Sequence, residues 1–190
     1  MHARSPRRRL WIAYVALYLA FAAAAARSIV ELRSEPDFGL MVGLLAFYLL
    51  LLVVEPYLTA RSLLFLHVIN ALETAVALVL VIEVGELDFF SLLFIPPCTQ
   101  SILNFPRRTA LIWIGLINVL MIFALLISFP LSESIGFVII YPTAIFLFTA
   151  LSYLAKQAGE AQARSEALLA DLQVANRKLR DYAAQVEELA

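Results

Sequence analysis

His67, Asn70, Glu73 and Thr74 interrupt an otherwise apolar run, Leu63–Val84, at a spacing that lets them act together. At about 100° per residue, positions 67, 70, 73 and 74 of a helix share an arc of roughly 120° and form one polar stripe. A charged acid such as Glu73 near the middle of a membrane span costs about 2.5–3.5 kcal/mol on insertion scales, and such residues usually face a bundle interior or a wet cavity. Two chemistries suit the stripe. In one, the groups hydrogen-bond to neighbouring helices as glue, at about 0.6 kcal/mol each. In the other, Glu73 takes up and releases a proton or helps bind a small ligand. Metal binding fits poorly: His67 and Glu73 stand six residues apart on one helix, and Cys98 is the only cysteine.

Partners for the stripe are available elsewhere in the chain. Asn118 lies mid-way along a later apolar run, and Thr99, Gln100, Ser101 and Asn104 follow the pair Pro96-Pro97. Those prolines lack backbone donors and are expected to kink their helix, either as a packing feature or as a hinge beside Cys98. Pro142 is a third hinge candidate, within Tyr141-Pro142-Thr143. Glu55 and Arg61 read as ordinary residues of a membrane boundary.

The elements that must position these groups follow from composition. Of 190 residues, 63% are hydrophobic and 15% charged, against about 45–50% and about 25% in soluble domains. The mean hydropathy is +0.88. Charge is unevenly placed: residues 1–155 hold nine basic and nine acidic side chains, and residues 156–190 hold five and six. The reading is a membrane domain, 1–155, followed by a soluble segment, 156–190. A net charge of −1 leaves no basic excess for nucleic acid.

A span needs about 20 apolar residues, and six runs qualify: Leu10–Val30, Phe38–Leu58, Leu63–Val84, Leu87–Asn104, Thr109–Phe129 and Ile135–Ala155. The expected fold is an all-α bundle of six transmembrane helices in the lipid bilayer. Arg4, Arg7, Arg8, Arg9, Arg61, Arg107, Arg108 and Lys156 collect on one side, which the positive-inside rule makes cytoplasmic, with both termini there. The expected address is a plasma membrane, crossed several times. Arg7-Arg8-Arg9 and Ala22–Ala26 also permit a cleaved signal peptide, leaving five spans. The run Leu10–Ala26, at 17 residues, exceeds the usual h-region of about 7–15 and favours retention.

Beyond Lys156 the sequence turns to good helix formers, and Gly159 is the only glycine after Gly136. A heptad seam runs through Ala158, Ser165, Leu172, Leu179 and Val186 at a, and Ala161, Leu168, Ala175, Tyr182 and Leu189 at d. This pattern predicts that the last span continues into a parallel homodimeric coiled coil with a weak, easily repacked core.

The segment from Leu168-Leu169-Ala170-Asp171-Leu172 through Asn176-Arg177-Lys178-Leu179-Arg180-Asp181-Tyr182 to Val186-Glu187-Glu188-Leu189-Ala190 resembles a signalling linker. It is similar to that of bacterial sensor histidine kinases that pair with NarL-type response regulators. In that family a multi-span sensor feeds a coiled coil, then a dimerisation helix with the phospho-accepting histidine, then an ATP-binding domain. Neither His2 nor His67 lies in such an acceptor box, and the sequence given stops at Ala190, where that box is due. The resemblance therefore implies a sensor and transmission fragment without catalytic residues. ATP and Mg, and contact with the response regulator, would belong to a kinase core beyond it. The rival readings are an input module for another output, such as a diguanylate cyclase, and a small transporter with a coiled-coil stub.

Overall fold

The computed structural model describes residues 11–31, 38–58, 63–83 and 88–189, and every element among them is helical. In chain order these are α1 (Trp11–Glu31), α2 (Phe38–Leu58), α3 (Leu63–Glu83), a 3-10 segment (Asp88–Phe94), α4 (Ile95–Asn104), α5 (Arg107–Ser128) and α6 (Leu131–Leu189). The basic cluster Arg4–Arg9 and Arg61 lie outside the described residues.

Four of these helices are long and apolar enough to cross a membrane: α2, Leu64–Glu83 of α3, α5, and α6 as far as Tyr182. Their outer surfaces are apolar, with Ile112 70%, Val119 64% and Phe146 74% exposed. The fully buried set includes Glu55, Asn70, Glu73, Ser91 and Ser101. Polar groups inside and bare hydrophobic side chains outside is the arrangement a hydrocarbon solvent selects, since lipid cannot satisfy a hydrogen bond.

The fourth apolar run corrects the sequence reading. It is not one kinked α-helix. Residues 88–94 wind as a 3-10 helix, and α4 begins at Ile95 with the prolines in its first turn. There their missing N–H groups leave no gap in the ladder of α4. Seven residues at about 2.0 Å and ten at about 1.5 Å extend about 29 Å, close to a bilayer core of about 30 Å. From Phe89 to Leu103 every residue but Leu92 is buried, the polar ones with the apolar. Phe89, Phe90, Leu93, Phe94 and Cys98 sit in the main core, which also takes Leu17 of α1, Tyr48 of α2, Leu80 of α3, Met121 of α5 and Ile145 of α6.

Two Phe-Pro joints set the later boundaries. Phe105 and Phe129 are extended (φ −90°, ψ 157° and φ −122°, ψ 151°), as residues before proline prefer, so α4 and α5 stop there. After Pro130, the Ser134 hydroxyl lies within 3.2 Å of the Leu125, Phe129 and Pro130 carbonyl oxygens and closes the turn into α6. α6 runs unbroken through Pro142 for 59 residues, about 88 Å. As expected from the scarcity of breakers after Pro142, one helix joins the bundle to the tail. Every side chain from Glu160 to Tyr182 is exposed, including the seam residues Leu168, Leu172, Leu179 and Tyr182.

Candidate functional site: a polar seam inside the bundle

The short α4 carries Gln100, Ser101 and Asn104 at spacings of one and three residues, which places them on adjoining sides of neighbouring turns. Each meets a polar group from another helix. The Gln100 amide donates to Glu73 Oε1 at 3.2 Å, and Asn70 donates to Ser101 Oγ at 3.0 Å. The Asn104 amide donates to Glu55 Oε1 at 2.8 Å. The result is a polar seam from the mid-span Glu73 of α3 to the end of α4, where Glu55 of α2 closes it. Both carboxyl groups, Asn70 and Ser101 are wholly buried, and Gln100 is 1% exposed.

The predicted stripe is therefore brought together with the predicted polar set on the fourth run, with amendments. Thr74 returns its hydroxyl to Asn70 O of its own helix at 2.7 Å. Asn118 gives its amide to Ile114 O of α5 at 2.8 Å, so Gln100, not Asn118, is the partner that Glu73 finds. His67 turns toward α5: Trp113 Nε1 donates to His67 Nδ1 at 2.9 Å, and the Phe105 ring lies 4.4 Å from the imidazole centroid. Glu55, near the end of α2, is fully buried and bonded to Asn104.

Two functional groups escaped the sequence reading. Tyr48 of α2 donates to Leu93 O at 2.5 Å. Residues 96 and 97 are the ones whose N–H groups would otherwise serve that carbonyl, and both are proline. The tyrosine supplies the donor the prolines lack, and a Tyr in the middle of an apolar run is the available signal. Lys156 of α6 reaches back to the other end of α4, donating to Ile102 O at 3.2 Å and Leu103 O at 2.9 Å. A cation there satisfies two terminal carbonyls and complements the negative end of the helix dipole.

Several buried oxygens in the seam lack any hydrogen-bond partner: Glu55 Oε2, Asn70 Oδ1, Glu73 Oε2, Gln100 Oε1 and Thr99 Oγ1. No three of His, Cys, Asp and Glu come together among the described residues. No protein-family model, curated protein or solved structure matches the chain.

Proposed function

We propose that this chain is the membrane-embedded input and transmission segment of a bacterial two-component sensor histidine kinase. In this reading six segments cross the plasma membrane, both termini are cytoplasmic, and the tail pairs with a second copy as a parallel coiled coil. The observation that carries it is the continuity of α6: one helix leaves the packed bundle at Lys156 and extends to Leu189, with its seam residues Leu168, Leu172, Leu179 and Tyr182 uncovered. Anything that shifts the bundle against α6 displaces the tail, because a helix transmits rotation and tilt along its length. The polar seam is the part of the bundle with states to choose between, since its bonds join α2 and α3 to α4, and Lys156 joins α4 to α6.

Cysteine cross-linking in native membranes tests this reading. In a Cys98→Ala background, Leu179→Cys should trap a dimer efficiently, and Arg177→Cys, outside the seam, should do so far less. Equal yields at both positions, or no dimer at either, would remove the coiled coil and with it the transmission role. Steady solute uptake by proteoliposomes would instead favour the transporter reading.

A further inference from the structure

The unpartnered oxygens of the seam are of one kind. Glu73 Oε2, Glu55 Oε2, Gln100 Oε1 and Asn70 Oδ1 are all acceptors, on residues that are 1% exposed or less. In both acid pairs the carboxamide has already spent a donor on one carboxyl oxygen, leaving the other oxygen bare. A buried acceptor left unsatisfied is destabilising, and the seam gathers four on α2, α3 and α4. Among the described residues no cationic side chain is bonded to them: α4 holds no Lys or Arg, and the Lys156 ammonium is engaged by the Ile102 and Leu103 carbonyls.

A proton on each carboxyl corrects the imbalance at its source. It turns Glu73 Oε2 and Glu55 Oε2 from orphan acceptors into donors. An acid facing a primary amide then donates and accepts at once, a complementarity the anion lacks. The same acid-to-amide pairing occurs twice, at positions 100 and 104 of one helix, against acids from two different helices. We propose that Glu73 and Glu55 form a two-step proton-binding site, each carboxyl holding its proton in a hydrogen-bonded pair with a carboxamide of α4.

Other titratable groups near the pair are few. On the first three helices they are Tyr48 of α2, whose hydroxyl is bonded to Leu93 O, Tyr18 of α1 and, beside the two acids themselves, His67. α4 contributes only Cys98, α5 has Arg107 and Arg108 at its exposed start, and His67 of α3 is bonded to Trp113. Loss of a proton leaves a buried anion against an amide carbonyl and loosens α4 from α3 or α2. Through Lys156 that movement reaches α6, a consequence that rests on the transmission role proposed above.

Infrared spectroscopy of the full chain in phosphatidylcholine vesicles reads the site directly, through the carbonyl stretch of protonated carboxyl groups during a pH titration. The expected result is a band that fades as pH rises, with one component lost in Glu73→Gln and another in Glu55→Gln. If neither substitution removes a component, the proposal is overturned, and the wild-type titration stands even if a variant folds poorly. Loss of the components on adding sodium at fixed pH would assign the oxygens to an alkali cation and overturn the proton assignment. Cross-linking of Leu179→Cys across the same pH range separates site from transmission. Yield that follows pH, and ceases to in Glu73→Gln, supports both. A titrating band with no dimer at any pH upholds the proton site and overturns the sensor reading.

Discussion

The Lys156 ammonium donates to the Leu103 carbonyl oxygen at 2.9 Å, tying the 59-residue α6 to the last turn of the ten-residue α4. Replacing the lysine by methionine keeps the apolar stem and deletes the donor. Lys156→Met should lower stability by about 1–3 kcal/mol, as for a buried carbonyl left without its partner. Unfolding of the purified protein by added SDS in mixed micelles would measure it. Wild-type stability would remove Lys156 as a structural tie.

Ser101 accepts from Asn70 and lies 2.7 Å from Pro97 O as a donor, so its hydroxyl holds two helices together at a proline-bearing turn. Ser101→Ala should destabilise the bundle by about 0.6–1.7 kcal/mol, the range for interhelical hydrogen bonds in membranes. In a cycle with Asn70→Leu, the second substitution should add little to the first. Full additivity would show that the two side chains do not share a bond.

How much of this seam was legible depends on which rule each residue obeys. Asn70, Glu73, Gln100 and Ser101 were readable as a cluster because polar groups in an apolar run must find one another. The choice of partner for Glu73 was not, since Asn118 and Gln100 are both amides at suitable depth and only packing rotates one inward. Nearness to a span end hides the burial of Glu55: its partner Asn104 comes from another helix, a pairing that hydropathy does not reveal. The prolines were read against α-helical geometry. The 3-10 winding before them depends on Tyr48 supplying a donor from another helix, a long-range fact without local signature.

Tyr48→Phe tests that dependence. The ring keeps its stack on Phe21, 5.9 Å between centroids and 3° between planes, but Leu93 O loses its donor. The expected loss is about 1–3 kcal/mol, with faster amide exchange concentrated in residues 88–94. Exchange that quickens evenly across all helices would show that the bond has no special hold on this segment.

Trp113→Phe should retain most aromatic packing against Phe105, whose ring it parallels within 11°. It removes the N–H that His67 accepts, at about 0.5–1.5 kcal/mol. Thermal denaturation in detergent gives the difference, and the same substitution in a His67→Phe background should have a smaller effect. An undiminished effect would assign the indole's role to packing alone.

Seven residues wound three to the turn are a reserve of length. Rewinding Asp88–Phe94 as α-helix would shorten it by about 3.5 Å, from about 2.0 to about 1.5 Å per residue. That is comparable to the few ångströms by which natural bilayers differ in thickness. A thinner membrane would favour the tighter rise and draw Leu93 O away from Tyr48. The segment thus has two lengths open to it that differ only by a change of pitch, and passing between them would break no bond within α4 itself.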